Sequence, residues 1–188
     1  MKTFAVPTRE QVSENNQVIF DNLKKAIGMV PNLYATMAYS EHGLANYVGL
    51  QSGKTSLRAK EKEAVNLIVS QVNGCTYCQS AHTVIGKMQG LTDEQVIEIR
   101  KGGASFDVKL DALVKLAKSI TENKGHAEST LVDNFFAAGY NEGNLVDVII
   151  LIGDKTIMNY LHNLTDIPVD FPGPQLAQNP RRVFVRVA

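Results

Sequence analysis

Apolar residues return at the spacing of helical turns along almost the whole chain, as in Val12, Ile19, Leu23 and Ile27, or Leu110, Leu113, Val114, Ala117 and Ile120. Period-two alternation, the mark of half-buried strands, is nearly absent, so the pattern predicts an all-α protein. Gly90, Gly102, Gly125 and Gly139 each stand where a helical pattern stops, as expected of a residue that accepts the left-handed conformation after a helix. Thr92 followed by Gln95 reads as a capping box with Asp93 and Glu94 in the first turn, and Asp107 is placed to cap the next helix. These signals predict helices near 9–27, 32–39, 41–52, 57–72, 76–89, 93–101, 108–124, 129–138 and 142–164.

After Thr165 the pattern ends. Pro168, Pro172, Gly173, Pro174 and Pro180 cannot continue a helix, so residues 168–188 are expected to form an extended arm, with Val183–Val187 its strand-like end. The organisation predicted is one domain: a helical segment over 1–56 packed on a helical core over 57–167, with the arm attached. An apolar arm on a helical domain packs on its own or a neighbouring subunit, which points toward a homo-oligomer.

Composition narrows the function classes. A chain of 188 residues with 44% hydrophobic content can bury a core without disulfide staples. Nineteen basic and nineteen acidic residues cancel, with no basic stripe interleaved with aromatics, so nucleic acid is not an expected partner. The start, Met1-Lys2-Thr3-Phe4-Ala5-Val6-Pro7, lacks the apolar run of a signal peptide, and no stretch is long enough to span a bilayer. These features predict a cytoplasmic protein, in a compartment that keeps thiols reduced.

There the two cysteines stand out. Both fall in Gly74-Cys75-Thr76-Tyr77-Cys78-Gln79-Ser80-Ala81-His82, with Glu63 twelve positions before the first. At roughly 100° per residue, Cys75, Cys78 and His82 lie within about 60° of one another on a helix, while Tyr77 points away. The pair is predicted at a helix start, where the positive end of the backbone dipole and free N–H groups favour thiolate over thiol. His82, one turn after Cys78, is expected within reach of its sulfur as a proton acceptor or a stabilising cation. If the two helices fold as a hairpin about Gly74, the Glu63 carboxylate comes near His82 or the cysteines, directly or through a water. Cys75 gains most from the dipole and Cys78 lies nearest His82, so position alone leaves open which sulfur attacks.

Other readings compete. The pair can be buried structural cysteine that never oxidises. A zinc site built on CxxC and His82 needs a fourth ligand, and His42, His126 and His162 are distant in sequence without a partner motif. Glu63, in Arg58-Ala59-Lys60-Glu61-Lys62-Glu63, can be a solvated helix residue. A thioredoxin-like site requires a strand before the motif, and the run Ala64–Ser70 has helical flanks without turn residues.

The combination of Glu63, Cys75-x-x-Cys78 and His82 within Asn73-Gly74-Cys75-Thr76-Tyr77-Cys78 resembles the alkylhydroperoxidase D-like branch of the carboxymuconolactone decarboxylase family. The likeness extends to Leu57–Glu63 before the motif and Gly90-Leu91-Thr92 after it, while Gly28-Met29-Val30-Pro31-Asn32-Leu33-Tyr34 resembles longer members labelled peroxidase-related. The resemblance implies an all-helical fold, trimers or hexamers, and hydroperoxide reduction by a cysteine pair without metal or haem, reset by a dithiol or disulfide-reductase electron donor. By position it assigns peroxide attack to Cys78, resolution to Cys75 and the proton relay to His82 and Glu63. Where the best-known members place a histidine just before the second cysteine, this chain has Tyr77. A phenol of pKa about 10 does not shuttle protons near neutrality, so the relay rests on Glu63 and His82. The alternatives are a carboxymuconolactone decarboxylase-like enzyme using Glu63 and His82 as acid and base, or a non-enzymatic redox sensor.

Overall fold

In the computed structural model, residues 4–173 are described. A 3₁₀ turn at Arg9–Gln11 precedes α1 (Glu14–Ile27), α2 (Asn32–Met37), α3 (Gly43–Gln51), α4 (Ala59–Val72), α5 (Thr76–Met88), α6 (Asp93–Lys101), α7 (Val108–Glu122), α8 (Ser129–Ala137) and α9 (Glu142–Thr165). Among the described residues no strand occurs, and the all-α expectation holds.

Helix α4 is the axis of the molecule and packs on α5, α6, α7 and α9. Its run Ala64–Ser70 is buried at every position, the polar Asn66 and Ser70 included, and it is helical rather than the strand a thioredoxin-like site would need. Around it Leu67, Ile99, Leu113, Leu116 and Phe135 form the main core. Phe135 stacks flat on Tyr140, ring centroids 4.3 Å apart, and the Tyr140 hydroxyl donates to Glu61 at 2.9 Å.

The expected helix ends hold at the caps. The Thr92 hydroxyl accepts from the Gln95 amide, the Gln95 side chain accepts from the Thr92 amide, and Asp107 accepts from the Leu110 amide. The helix expected over 9–27 is instead broken at Val12 and Ser13, because two caps stand in tandem: Gln11 accepts from the Thr8 amide, and Ser13, with extended backbone, accepts from the Asn16 amide to start α1 afresh.

Helices α1 to α3 share a smaller cluster around Phe20, Ala35 and Leu44. The buried Asn16 ties α1 to the end of α2, donating to the Ala38 and Ser40 carbonyls at 3.1 Å each. Past α9 the chain runs without regular structure through residues 167–173, bending at Phe171, and packs back on its own domain. Asp170 accepts from the Asn32 amide at 2.8 Å, opening α2, and Phe171 meets the Tyr77 ring edge-on at 5.6 Å. The strand-like Val183–Val187 lies outside the described residues.

Candidate functional site

The connection from α4 to α5 is short because Gly74 takes φ +69°, a conformation that a side chain disfavours. The Cys75 amide then donates to the Ser70 carbonyl at 3.0 Å, closing the end of α4. Cys75 becomes the N-cap of α5, and its sulfur accepts from the Cys78 amide at 3.2 Å. Both cysteines are free and buried, and the Cys75 thiol donates to the Cys78 sulfur across 2.7 Å.

This contact divides the roles of the two sulfurs. Burial, and the proton it donates to Cys78, push the Cys75 thiol far up. For Cys78, the hydrogen bond from Cys75 outweighs burial, and the charge of Lys155 and the Asn159 amide add to it, so its thiol lies below the ordinary value. Cys78 is thus the more readily deprotonated sulfur of the pair, and Cys75 the thiol that donates to it. The dipole argument for Cys75 yields to burial, since Cys75 is completely enclosed.

Hairpin packing of α5 on α4 brings His82 onto Glu63, with Nδ1 to Oε2 2.7 Å; the other carboxylate oxygen accepts from Asn66 at 3.1 Å. Burial drives the Glu63 carboxyl up, but the charge and hydrogen bond of His82, with Lys155 and Asn66, hold it below the usual carboxylate range. Burial and then Lys155 hold the His82 ring below its ordinary value, against the pull of Glu63. The imidazole is therefore neutral near pH 7. With an ionised carboxylate at Nδ1, that nitrogen carries the proton and Nε2 keeps its lone pair.

Of the two roles expected of His82, the stabilising cation falls to another residue. Among the described residues, the sulfurs bond to each other, the Cys78 amide and Asn159, and not to the ring. The cation beside Cys78 is Lys155 of α9.

Sequence reasoning missed the α9 contribution. Asp154, Lys155 and Asn159 are all buried, on the helix face that packs toward α4. The Asn159 amide reaches both sulfurs; it also donates to the Ser70 hydroxyl at 3.3 Å and accepts from Asn73 at 2.9 Å. The signal was present: in the apolar run from Leu145 to Leu164, polar residues at 154, 155 and 159 keep to one side.

Tyr77, in the place where a histidine was noted missing, is a structural latch. Its hydroxyl accepts from the Leu33 amide at 3.3 Å, its ring lies 5.4 Å from that of His162, and burial raises its phenol well above the ordinary value. Over the cysteines lie Leu33, Tyr34 and Met37 of α2, Tyr47 of α3 and Met158 of α9. Tyr34 donates to Gln51, whose amide reaches Tyr47 at 2.7 Å and Asp154 at 3.3 Å. Two clefts, of about 470 and 310 Å³, are lined by other residues and do not contain the sulfurs. Among the described residues no group of three or more His, Cys, Asp or Glu side chains is arranged to hold a metal ion, and no helix is long and apolar enough to cross a membrane.

The site is thus a dithiol at the start of one helix of an all-α bundle, with a carboxylate–imidazole pair on the same helical hairpin. Residues 42–119 match the sequence model of the Carboxymuconolactone decarboxylase family, and the fold is of the alkylhydroperoxidase D-like type. An alkylhydroperoxidase AhpD core structure, a peroxidase-related protein from Ralstonia eutropha JMP134, superposes with TM-score 0.77 at 16% identity, covering 86% of this chain and 88% of that one. A peroxidase-related protein from Silicibacter sp. TM1040 gives TM-score 0.75 at 18% identity, covering 91% of each chain. A cysteine-to-alanine variant of the debrominase Bmp8 in complex with 2,3,4-tribromopyrrole gives 0.74 at 18% identity, covering 90% of this chain and 93% of that one. No curated protein matches the sequence significantly.

Proposed function

We propose that the protein is a thiol-dependent peroxidase that reduces hydroperoxides through Cys78 and Cys75. The observation that carries this reading is the polarised pair itself: a buried thiol donating across 2.7 Å to a sulfur whose pKa is lowered. A structural pair that never oxidises has no need of an ammonium whose charge favours one sulfur over the other.

The Cys78 thiolate attacks the terminal oxygen of ROOH; the O–O bond breaks, leaving Cys78 as sulfenic acid and the alkoxide as leaving group. The alkoxide takes a proton relayed from solvent through His82, held in orientation by Glu63, and departs as the alcohol. Cys75 then attacks the sulfenic sulfur, its proton leaves with the hydroxide as water, and a Cys75–Cys78 disulfide forms. A dithiol or disulfide-reductase donor returns two electrons and two protons. A reducing compartment such as the cytoplasm keeps the resting pair as thiols.

Titration with a hydroperoxide, followed by mass-spectrometric thiol counting, tests this: one equivalent should consume two thiols. Cys78→Ser should abolish turnover with a dithiol donor, and Cys75→Ser should stop after one turnover with a sulfenic acid that dimedone traps. Unoxidised thiols, or turnover in both variants, defeat the reading. A second reading, reductive removal of halide from an aromatic ring by the same dithiol, is favoured by the aromatic and methionine wall over the sulfurs; it predicts halide release from a halopyrrole with the same two-thiol stoichiometry.

A further inference from the structure

Beside Lys155 on α9 stands a second buried charge, one the proposed reaction does not use. Asp154 is 7% exposed, and a carboxylate so enclosed is ordinarily paired with a cation. Among the described residues every ion pair is made elsewhere, and the hydrogen-bond partners of Asp154 are neutral. Gln51 of α3 donates to its Oδ1 at 3.3 Å, and the Tyr47 hydroxyl, which takes the same amide at 2.7 Å, also donates to the carboxylate. An ionised carboxylate accepts about four hydrogen bonds, so these two donors leave it with acceptor capacity to spare.

Helix geometry turns that capacity toward the sulfurs. Residues four apart on a helix stand one above the other on the same face. Asp154 therefore stacks on Met158, which packs in the cluster of the cysteine pair, just as Lys155 stacks on Asn159, whose amide reaches both sulfurs. Tyr47, which holds the carboxylate, belongs to the same cluster as Cys75 and Cys78. After the Cys75 hydrogen bond and burial, the two charges contend over the nucleophile: Lys155 holds the Cys78 thiol down and Asp154 pushes it up. A carboxylate that works against the thiolate beside it has a role if it acts on the other reactant. A hydroperoxide carries an O–H donor on the oxygen that is attacked and gathers negative charge on the oxygen that leaves. An acceptor and a cation at consecutive positions of one helix complement that polarity.

We propose that Asp154 and Lys155 seat the O–O bond of the substrate over Cys78, Asp154 accepting the hydrogen bond of the terminal O–H and Lys155 facing the inner oxygen. The assignment rests on the peroxidase reading and adds to it the polarity of the substrate. As the S–O bond forms and the O–O bond breaks, the terminal oxygen passes to Cys78 with its proton still attached, which gives the sulfenic acid. The electron pair of the O–O bond leaves on the inner oxygen, whose charge meets the Lys155 ammonium until the proton relayed through His82 arrives. The substrate class is a neutral hydroperoxide; an oxidant that enters as an anion meets Asp154 with no proton to offer it and is repelled.

Asp154→Asn tests this, because the effects of the carboxylate on the sulfur and on the substrate have opposite signs. With the charge gone Cys78 ionises more readily, so alkylation by iodoacetamide at pH 7 should hold its rate or quicken. Oxidation of the same thiol by cumene hydroperoxide, followed by quenched thiol counting, should slow. The ratio of the peroxide rate to the alkylation rate should fall roughly tenfold, the scale on which a charged acceptor exceeds a neutral one. An unchanged ratio, with both rates raised or both lowered, overturns the proposal, and this reading holds even if the variant folds poorly. Lys155→Met, assayed above the pH at which its own alkylation levels off, should recover the wild-type alkylation rate and not the peroxide rate; recovery of both overturns the assignment. A wild type whose thiols no hydroperoxide oxidises defeats the peroxidase reading and this one with it, whereas unchanged ratios in a protein that does turn over defeat the seating of the O–O bond alone.

Discussion

Lys155 is the residue on which the charges of the site converge: it lowers the thiol of Cys78, the carboxyl of Glu63 and the imidazole of His82 together. Lys155→Met should therefore move Cys78 and His82 upward. Alkylation of Cys78 by iodoacetamide near neutrality should slow several-fold with its pH midpoint displaced to higher pH, while the His82 ring, followed by NMR, should titrate later on acidification. Unchanged profiles for both would show that Lys155 acts only by packing. Glu63→Gln separates the relay from the nucleophile: turnover should fall roughly 10²-fold, the scale of a lost general acid–base partner, while the alkylation profile of Cys78 moves little. At this scale the motif residues were legible because chemistry fixes their spacing on a single hairpin. Lys155 and Asn159 were not, because they arrive from a helix nearly eighty residues later, and nothing local marks a lysine as buried.

The helices themselves follow the sequence closely wherever a cap and an apolar period agree, as at Thr92 and Asp107. The break before α1 was missed because the apolar spacing from Val12 to Ile27 runs through it unchanged; the two caps at Thr8 and Ser13 decide the matter, and periodicity does not register caps. The segment after α9 shows what an element can do without regular structure. Asp170 accepts from the first amide of α2, Asn32 returns a bond to the Pro168 carbonyl at 3.1 Å, and Phe171 covers Tyr77, which stands between the two cysteines. Asp170→Ala should cost about 1 kcal/mol, the ordinary worth of a helix N-cap, and should speed labelling of the cysteine pair by a bulky maleimide, since strap and α2 loosen together. Chemical denaturation and a labelling time course check the two halves, and unchanged labelling would place the route to the sulfurs elsewhere.

For the whole molecule, burying a carboxylate and an imidazole beside an ammonium couples folding to pH in one direction. The His82 ring has a folded pKa below its unfolded value of 6.5, so the unfolded chain binds the extra proton first; the stability this ring contributes is complete above pH 6.5 and drains away as pH falls through the folded value. Glu63 is depressed from 4.5, and its share is complete above pH 4.5 and lost further down. The two losses follow one another on acidification and have the same sign, and protonating His82 adds a positive charge that Lys155 repels. The melting temperature should accordingly decline from below pH 6.5, before ordinary carboxylates titrate. In His82→Gln, which keeps a hydrogen-bonding side chain without a titrating ring, that first decline should shrink while the lower one remains. A wild-type curve flat from pH 7 to 5, or a variant that keeps the early decline in full, would mean that the ring accepts its proton without strain and that the charges around it are less tightly joined than their distances imply.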